Sequence, residues 1–224
     1  MVTINLMKEC RAVGTELRSL LRKQIFYPTM KHHARSSSSR EPLTKKRHWR
    51  EGLLETMEDP ESIVKEDDKV VVIKDKYPKA HYHFLVLPKE NIHSIKEVEK
   101  KHEDLLQHME TIGQEVADKQ DDHEFMLGYH VVPSMHRLHL HVISTDFDSP
   151  CLKNKYHWNS FTTAYFRPSK TAREELKVHG RIKQMKSKDA DELLKTDLQC
   201  HKCPLKPKNM PELKRHLLTH LPPE

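Results

Sequence analysis

Two histidines, His139 and His141, stand two residues apart in the sequence LHLHVI at positions 138–143. Apolar side chains alternate with imidazoles there, and this period of two is typical of a strand with one face in a core and the other in a cleft. The pattern therefore predicts that both imidazoles share the cleft face. A neutral imidazole can attack phosphorus while a second one donates a proton, so the pair suits chemistry on a phosphate.

The composition of the chain weakens this pair as a motif on its own. With 18 histidines among 224 residues, a His-x-His pair is expected by chance roughly once in such a chain. The five glycines do not form a phosphate-binding glycine loop, so side chains and backbone amides would have to hold a phosphate. Whether the histidine pair is catalytic must therefore be judged from the residues around it.

A second constellation lies near the C-terminal end of the sequence. Two residues separate Cys200 from Cys203, and after twelve more residues His216 and His220 follow, one helical turn apart. Thiolate and imidazole ligands with this spacing are typical of a tetrahedral zinc site, so we predict one structural zinc ion held by these four residues. Three prolines crowd the loop between the pairs. We therefore expect a finger that holds the DNA backbone and does not read base triplets.

The neighbourhood of both constellations resembles the histidine triad (HIT) hydrolases, and among them the members that act on adenylated DNA. The resemblance rests on Ser134-Met135 followed by HRLHLHVIS, on DFDSPCLKNK and HWNSF, and on the Cys and His pairs. It implies an α+β fold, with a HIT-type antiparallel sheet, packed helices and a small C-terminal zinc-finger domain. It also implies a reaction that removes AMP from 5′-adenylated DNA ends and nicks through a covalent His-AMP intermediate.

The resemblance assigns the chemical roles in that reaction. Neutral His139 attacks the adenylate phosphorus and expels the DNA 5′-phosphate, after which water releases AMP as product. His141 and Ser134 stabilise the charge on the non-bridging oxygens, and His130 helps to protonate the leaving phosphate. No catalytic metal is expected.

One position departs from the family pattern. The first histidine of the triad would fall at position 137, where this sequence has Arg137. Alternation places Arg137 on the same face as His139 and His141, while His136 is out of register and is expected to point to the other face. We expect Arg137 to pair with a DNA phosphate at the mouth of the cleft.

The resemblance also implies binding residues on both sides of the cleft. Asp75 follows a predicted strand and would hold the ribose hydroxyls, although a loop aspartate that caps a turn is the ordinary alternative. Trp49 would stack on the exposed base pair of a DNA end, or else pack its own helix onto the sheet. The nucleotide-binding set is Asp75, Lys76, His83 and Ser134, and the DNA-binding set is Trp49, Met135, Arg137 and Lys153.

The elements that must position these residues follow from the hydrophobic pattern. Strands are predicted at 70–73, 82–87 and 125–132, and a long helix is predicted to start at the capping box formed by Ser94 and Glu97. We divide the chain into a basic, largely disordered segment (1–47), a catalytic domain (48–165), a helical connector (166–198) and the finger (199–224). Relatives of this family often carry a forkhead-associated domain, but fewer than 50 N-terminal residues cannot hold one. We therefore expect no phosphopeptide docking through such a domain.

The charge of the chain is unevenly distributed. Residues 1–50 carry a net charge of +9, residues 51–150 carry −11 and residues 151–224 carry +8. An acidic middle repels a polyanion, so if the substrate is nucleic acid the basic flanks must supply the phosphate contacts. The alternative is that the flanks are solvated tails or a nuclear import signal. We expect deletion of residues 199–224 to weaken DNA binding and to spare the cleft.

The sequence also indicates where the protein acts, and it leaves two alternative functions open. The chain has no apolar run of membrane-spanning length and no secretory signal, so we expect a nuclear, monomeric protein without a membrane partner. One alternative is a HIT hydrolase of free dinucleotides or nucleoside phosphoramidates. Another is a non-catalytic zinc-finger adaptor that binds nucleic acid.

Overall fold

The computed structural model of the chain describes residues 52–120 and 123–221. Within them a six-stranded sheet has the order β1-β2-β3-β5-β4-β6, and every pairing is antiparallel. The predicted α+β fold is therefore confirmed. The features predicted for residues 1–47, and Trp49, lie outside the described residues. The strands are β1 (Ile63–Glu66), β2 (Val70–Lys74), β3 (His83–Pro88), β4 (Phe125–His130), β5 (Leu140–Ser144) and β6 (Phe166–Pro168).

Helices flank the sheet on both faces, but the long helix begins later than predicted. Ser94 does cap a turn, since its Oγ accepts from the Lys96 amide at 3.3 Å. Val98 is extended, with φ −70° and ψ 126°, so the chain makes two short 3-10 turns before the α-helix starts. The helices are α1 (residues 52–57), α2 (Glu103–Ala117), α3 (Lys155–Thr162), α4 (Ser169–His179), α5 (Ser187–Lys195) and α6 (Met210–Leu217). Each of those described is too short or too polar to span a bilayer.

One face of the sheet packs against α2 and forms the main core. Leu138, Leu140 and Val142 point into this core, as the period of two predicts. Gly113 on α2 permits a close approach, because a Cβ there would lie 2.9 Å from Val142 Cγ2. The helix therefore rests directly on the strand that carries the two histidines, and it leaves the opposite face of that strand for the site.

The other face shares its apolar cluster with the C-terminal finger. Leu213 and Leu217 of α6 are buried together with Trp158 and Phe161 of α3 and with Phe147. This shared core conflicts with the expectation that the finger could be deleted without effect on the cleft, because deletion would expose large aromatic side chains.

The segment predicted as a helical connector contains both helix and strand. Helices α4 and α5 lie within it, as predicted. Strand β6, however, pairs with β4 through Gly128↔Pro168 and His130↔Phe166. The start of this segment is therefore an edge strand of the catalytic sheet.

Candidate functional site

The register of the three central strands brings four histidines onto one face. In the β3–β5 pair, Leu85 stands opposite His141, so His83 lies diagonally across from it. In the β4–β5 pair, Gly128 stands opposite His141, which places His130 across from His139. The ring centroid of His141 lies 4.3 Å from that of His130, 4.9 Å from that of His139 and 5.2 Å from that of His83.

These histidines line a cavity of about 460 Å³. Eight residues of the predicted sites border it: Asp75, His83, His130, Ser134, Met135, His139, His141 and Lys153. Sequence reasoning missed other residues of its wall: Tyr77, Lys79, Cys151, Tyr156, His157, Ser160, Phe161 and Tyr165. Lys76 and Arg137 are not among its lining residues. The sequence could have indicated His157, since it opens the HWNSF segment that carries the family resemblance.

His139 is held in one tautomer by the backbone. Its Nδ1 lies 2.8 Å from the Arg137 carbonyl oxygen. A carbonyl only accepts, so Nδ1 carries the proton and Nε2 keeps its lone pair. Burial lowers the pKa of His139, and the Arg137 carbonyl and the Asp75 carboxylate only partly oppose this effect. The ring is therefore neutral at pH 7, as a nucleophile must be.

The strand alternation predicted through Arg137 is wrong at this position, and Arg137 is not among the residues that line the cavity. Its backbone is left-handed, with φ 89°, which ends the strand pattern before Leu138. The guanidinium Nη1 donates to the Glu90 carbonyl at 2.7 Å, and the Arg137 amide donates to the His93 carbonyl at 3.0 Å. The group that orients His139 is therefore the main-chain carbonyl of Arg137 and not its side chain.

A chain of hydrogen bonds fixes the tautomer of His141. The Lys79 amide lies 3.2 Å from Nδ1 of His83, and an amide N–H always donates, so His83 carries its proton on Nε2. That Nε2 lies 3.0 Å from Nδ1 of His141. The proton of His141 is then on its Nε2, a buried atom without a protein partner. His141 thus presents an N–H donor for a ligand oxygen.

Burial keeps the surrounding imidazoles neutral as well. It lowers the pKa of His83 to about 4, against the opposing effect of Asp75, and that of His130 to about 3. Burial, followed by His130 and His139, lowers the pKa of His141 well below the usual value. The role assigned to His130 as a proton donor would therefore require the phosphate of a bound substrate to raise its pKa.

The turn after β2 supplies one wall of the cavity. Asp75 is partly exposed; its Oδ1 accepts from the Tyr77 amide at 2.7 Å and its Oδ2 lies 3.4 Å from His83 Nδ1. This carboxylate both caps the turn and faces the cavity, so the two alternatives for Asp75 are compatible. Lys79 borders the cavity and Lys76 is exposed outside it, which makes Lys79 the better placed lysine.

The four predicted zinc ligands converge at the end of the chain. Cys203 Sγ lies 3.1 Å from His216 Nε2, Cys200 Sγ lies 3.4 Å from His220 Nε2, and the two Nε2 atoms are 3.0 Å apart. All four ligand atoms lie within 4.8 Å of one another. Two sulfurs and two nitrogens at such distances fit a tetrahedral zinc ion.

A groove lined by lysines runs between the cavity and the finger. Its lysines are Lys153, Lys155, Lys206 and Lys208, and we call it the lysine groove. Lys153 borders both the groove and the cavity. The positive charge of the C-terminal third is therefore placed next to the site.

Two family models match the chain, and together they cover the described domain and the finger. Residues 48–157 match the model described as scavenger mRNA decapping enzyme C-term binding. Residues 162–222 match the C2HE / C2H2 / C2HC zinc-binding finger. Fold and site together thus define a HIT-type domain joined to a zinc-binding finger.

Similarity to individual proteins shows to which family within this class the chain belongs. Aprataxin of Danio rerio is 52% identical over 178 residues, which are 78% of this chain and 54% of that protein. The aprataxin-like protein of Saccharomyces cerevisiae is 33% identical over 155 residues, 53% of this chain and 71% of that protein. A crystal structure of the aprataxin ortholog Hnt3 in complex with DNA aligns with a TM-score of 0.62 and 26% identity, over 77% of this chain and 94% of that one. The chain belongs to the aprataxin family, and it spans little more than half of the Danio rerio relative.

Proposed function

We propose that the protein removes AMP from 5′-adenylated DNA ends left by abortive ligation. The observation that carries the proposal is the neutral His139, whose Nδ1 is tied to the Arg137 carbonyl at 2.8 Å so that Nε2 is free to attack. The DNA bound to the aligned Hnt3 structure supports a nucleic acid as the substrate. The position of Arg137 is no obstacle, because the orienting group is its main chain.

The reaction has two displacement steps at the adenylate phosphorus. Nε2 of His139 forms a bond to phosphorus, and the bond to the bridging oxygen breaks, so that the DNA leaves with its 5′-phosphate. Water then attacks the phosphorus of the His-AMP intermediate, the bond between phosphorus and Nε2 breaks, and AMP leaves while His139 returns to its neutral form. The Nε2–H of His141 and the hydroxyl of Ser134 stabilise the charge on the non-bridging oxygens, and His130 assists the departure of the leaving phosphate.

Nucleotide recognition falls to the wall of the cavity formed by the turn after β2. Asp75 accepts from the ribose hydroxyls, and Lys79, more than Lys76, contacts the phosphate side of the nucleotide. His83 acts through His141, whose tautomer it fixes by the 3.0 Å hydrogen bond. The chemistry needs no catalytic metal, since His139 is the nucleophile of the first displacement and water is the nucleophile of the second.

DNA recognition falls to the basic surfaces. Lys153 and the rest of the lysine groove neutralise phosphates of the duplex, and Met135 lies at the cavity wall next to α1. Trp49 stacks on the terminal base pair, and Arg137 contacts a phosphate only if its hydrogen bond to Glu90 opens. One structural zinc ion holds the finger together, and the protein acts in the nucleus as a monomer.

The deciding experiment compares two substrates for the purified protein. AMP release is measured from a 5′-adenylated nicked duplex and from a diadenosine polyphosphate, at several salt concentrations. We expect faster turnover of the DNA substrate, with log affinity falling by about 0.9 per phosphate contact per unit of log salt. Preference for the free dinucleotide would instead support a small-molecule HIT hydrolase, and binding of adenylated DNA without AMP release would support the adaptor.

A further inference from the structure

Lys214, on the finger helix α6, reaches into the catalytic domain. This half-buried side chain donates through Nζ to the Ser149 carbonyl at 2.7 Å. The Ser149 hydroxyl in turn donates to the Pro78 carbonyl at 2.5 Å and accepts from the Cys151 amide at 3.1 Å. One lysine of the finger is thus the first member of a hydrogen-bond chain that joins two separate loops.

Both loops are walls of the nucleotide cavity. Pro78 stands between Tyr77 and Lys79, and Ser149 shortly precedes Cys151 and Lys153; these four neighbours line the cavity. Ser149 itself is only 3% exposed, so its hydrogen bonds are shielded from competing water. The hydrogen bond from the Ser149 hydroxyl to Pro78 therefore joins the two walls, and Lys214 of the finger holds the main chain at the Ser149 end of that bond.

An apolar contact from the finger supports the same loop. Phe147 has a left-handed backbone with φ 50°, which is strained for a bulky residue and persists only when its surroundings hold it. Its ring is buried 5.2 Å from that of His201, a finger residue, and 5.0 Å from that of Trp158. His201 also bonds through Nε2 to the Thr145 carbonyl at 2.9 Å. The finger thus contacts the loop that follows β5 at two places, at its start near Thr145 and at Ser149.

We propose that Lys214 is a positioning residue for the nucleotide pocket, and that the finger sets the affinity for the adenosine monophosphate moiety independently of any contact with DNA. The proposal rests on the proposed function only in taking this nucleotide as the occupant of the cavity. The catalytic imidazoles stay in place when the Lys214–Ser149 hydrogen bond is lost, because His141 lies in β5 and the Arg137 carbonyl orients His139 just before that strand. Loss of this hydrogen bond therefore affects binding more than the rate of the chemical step.

The test uses the full chain and substrates that contain no DNA. For Lys214→Met we expect AMP, measured by calorimetry, to bind about tenfold more weakly, which is the loss of one hydrogen bond from a charged donor. KM for a diadenosine polyphosphate should rise by a similar factor, with kcat nearly unchanged. Lys214→Arg keeps a donor and should recover most of the affinity, and Ser149→Ala should weaken AMP binding because it cuts the link to Pro78.

The matched control is Arg215→Met, which removes the neighbouring positive charge on the same helix α6, where the side chain is exposed. Arg215 is not among the lining residues of the cavity, so AMP binding should stay at the wild-type value. Zinc content and thermal unfolding are measured for every variant to exclude loss of the finger. Unchanged AMP affinity in both Lys214→Met and Ser149→Ala would overturn the proposal, even if adenylated DNA proved not to be the substrate. Conversely, wild-type protein that binds AMP but never releases it from adenylated DNA would contradict the proposed function, and the role of Lys214 would still be judged on AMP affinity.

Discussion

Two pairs of histidines in this protein have the same distance between their ring nitrogens but different chemical roles. Nδ1 of His141 lies 3.0 Å from Nε2 of His83 in the cavity, and Nε2 of His216 lies 3.0 Å from Nε2 of His220 in the finger. In the cavity the two nitrogens share one proton, because the Lys79 amide fixes the other nitrogen of His83. In the finger the two nitrogens converge with two sulfurs, an arrangement suited to a metal ion.

The difference lies in what holds each pair in place. The cavity histidines are fixed by strand register and by main-chain hydrogen bonds, so their geometry exists before any ligand binds. The finger ligands come from a loop and a short helix, and four close donor atoms without an ion would leave two thiols and two imidazoles poorly paired. We therefore predict that the cavity histidines keep their arrangement without a bound nucleotide, whereas the finger does not keep its arrangement without zinc.

The largest effect is expected at His139. His139→Ala should reduce AMP release by at least about 10⁴-fold, because the nucleophile is lost, while AMP binding and thermal unfolding change little. AMP release from the adenylated duplex measures this directly. His136→Ala is the matched control, since His136 is exposed outside the cavity near His93; an equal loss in that variant would show that the assay reports folding.

A smaller loss is expected at His141. His141→Ala should slow AMP release by about 10²–10³-fold, because it removes one preorganised donor to the non-bridging oxygens. The His-AMP intermediate should still form, only more slowly, which rapid-quench measurements can detect. Complete loss of the intermediate in this variant would mean that His141 is needed for nucleophilic attack itself.

The finger provides the contrasting test. Cys203→Ser should lose the zinc ion, as measured by metal analysis of the purified protein, whereas Cys151→Ser should keep it. Because Leu213 and Leu217 share a core with Trp158, we also expect the zinc-free variant to bind AMP about tenfold more weakly or worse. Active, stable protein without zinc would contradict the metal assignment.

The smallest effect is the contribution of one buried histidine to stability. The pKa of His83 is about 4 in the folded chain, against an ordinary value of 6.5. Between these values the unfolded chain binds a proton that the folded chain does not, so stability is full above pH 6.5 and falls toward pH 4, by about 1.4 kcal/mol per pH unit. Denaturant unfolding at about pH 7 and about pH 5 should show a shallower fall for His83→Gln than for wild type. Parallel curves for the two proteins would contradict the low pKa.

Much of the site was predictable because it follows from periodicity. Alternation from Leu138 to Ile143 placed two histidines on one face, and the Cys and His spacing placed the zinc ligands together. Alternation failed at Arg137, since the left-handed turn that ends the pattern depends on hydrogen bonds to His93 and Glu90 that are remote in sequence. Residue types alone carry no signal for such contacts.

The less regular strands and the role of the finger escaped prediction for related reasons. Strand β1 (IVKE) is short and charged, and β6 (FRP) has three residues, too few for a pattern to emerge. Leu213 and Leu217 have the spacing of a finger's own core, and nothing local indicates that their partners are Phe147 and Trp158. Tertiary packing, and not propensity, joins the finger to the catalytic domain.

The most direct test of the central claim is to trap the covalent intermediate. Protein mixed with 5′-adenylated nicked DNA is quenched within the first turnover, digested at neutral to alkaline pH to preserve a phosphoramidate, and analysed by mass spectrometry. We predict one AMP group on the peptide that contains His139, attached to that histidine and absent from His139→Ala. An AMP adduct on any other residue, or AMP release at the wild-type rate from His139→Ala, would contradict the account.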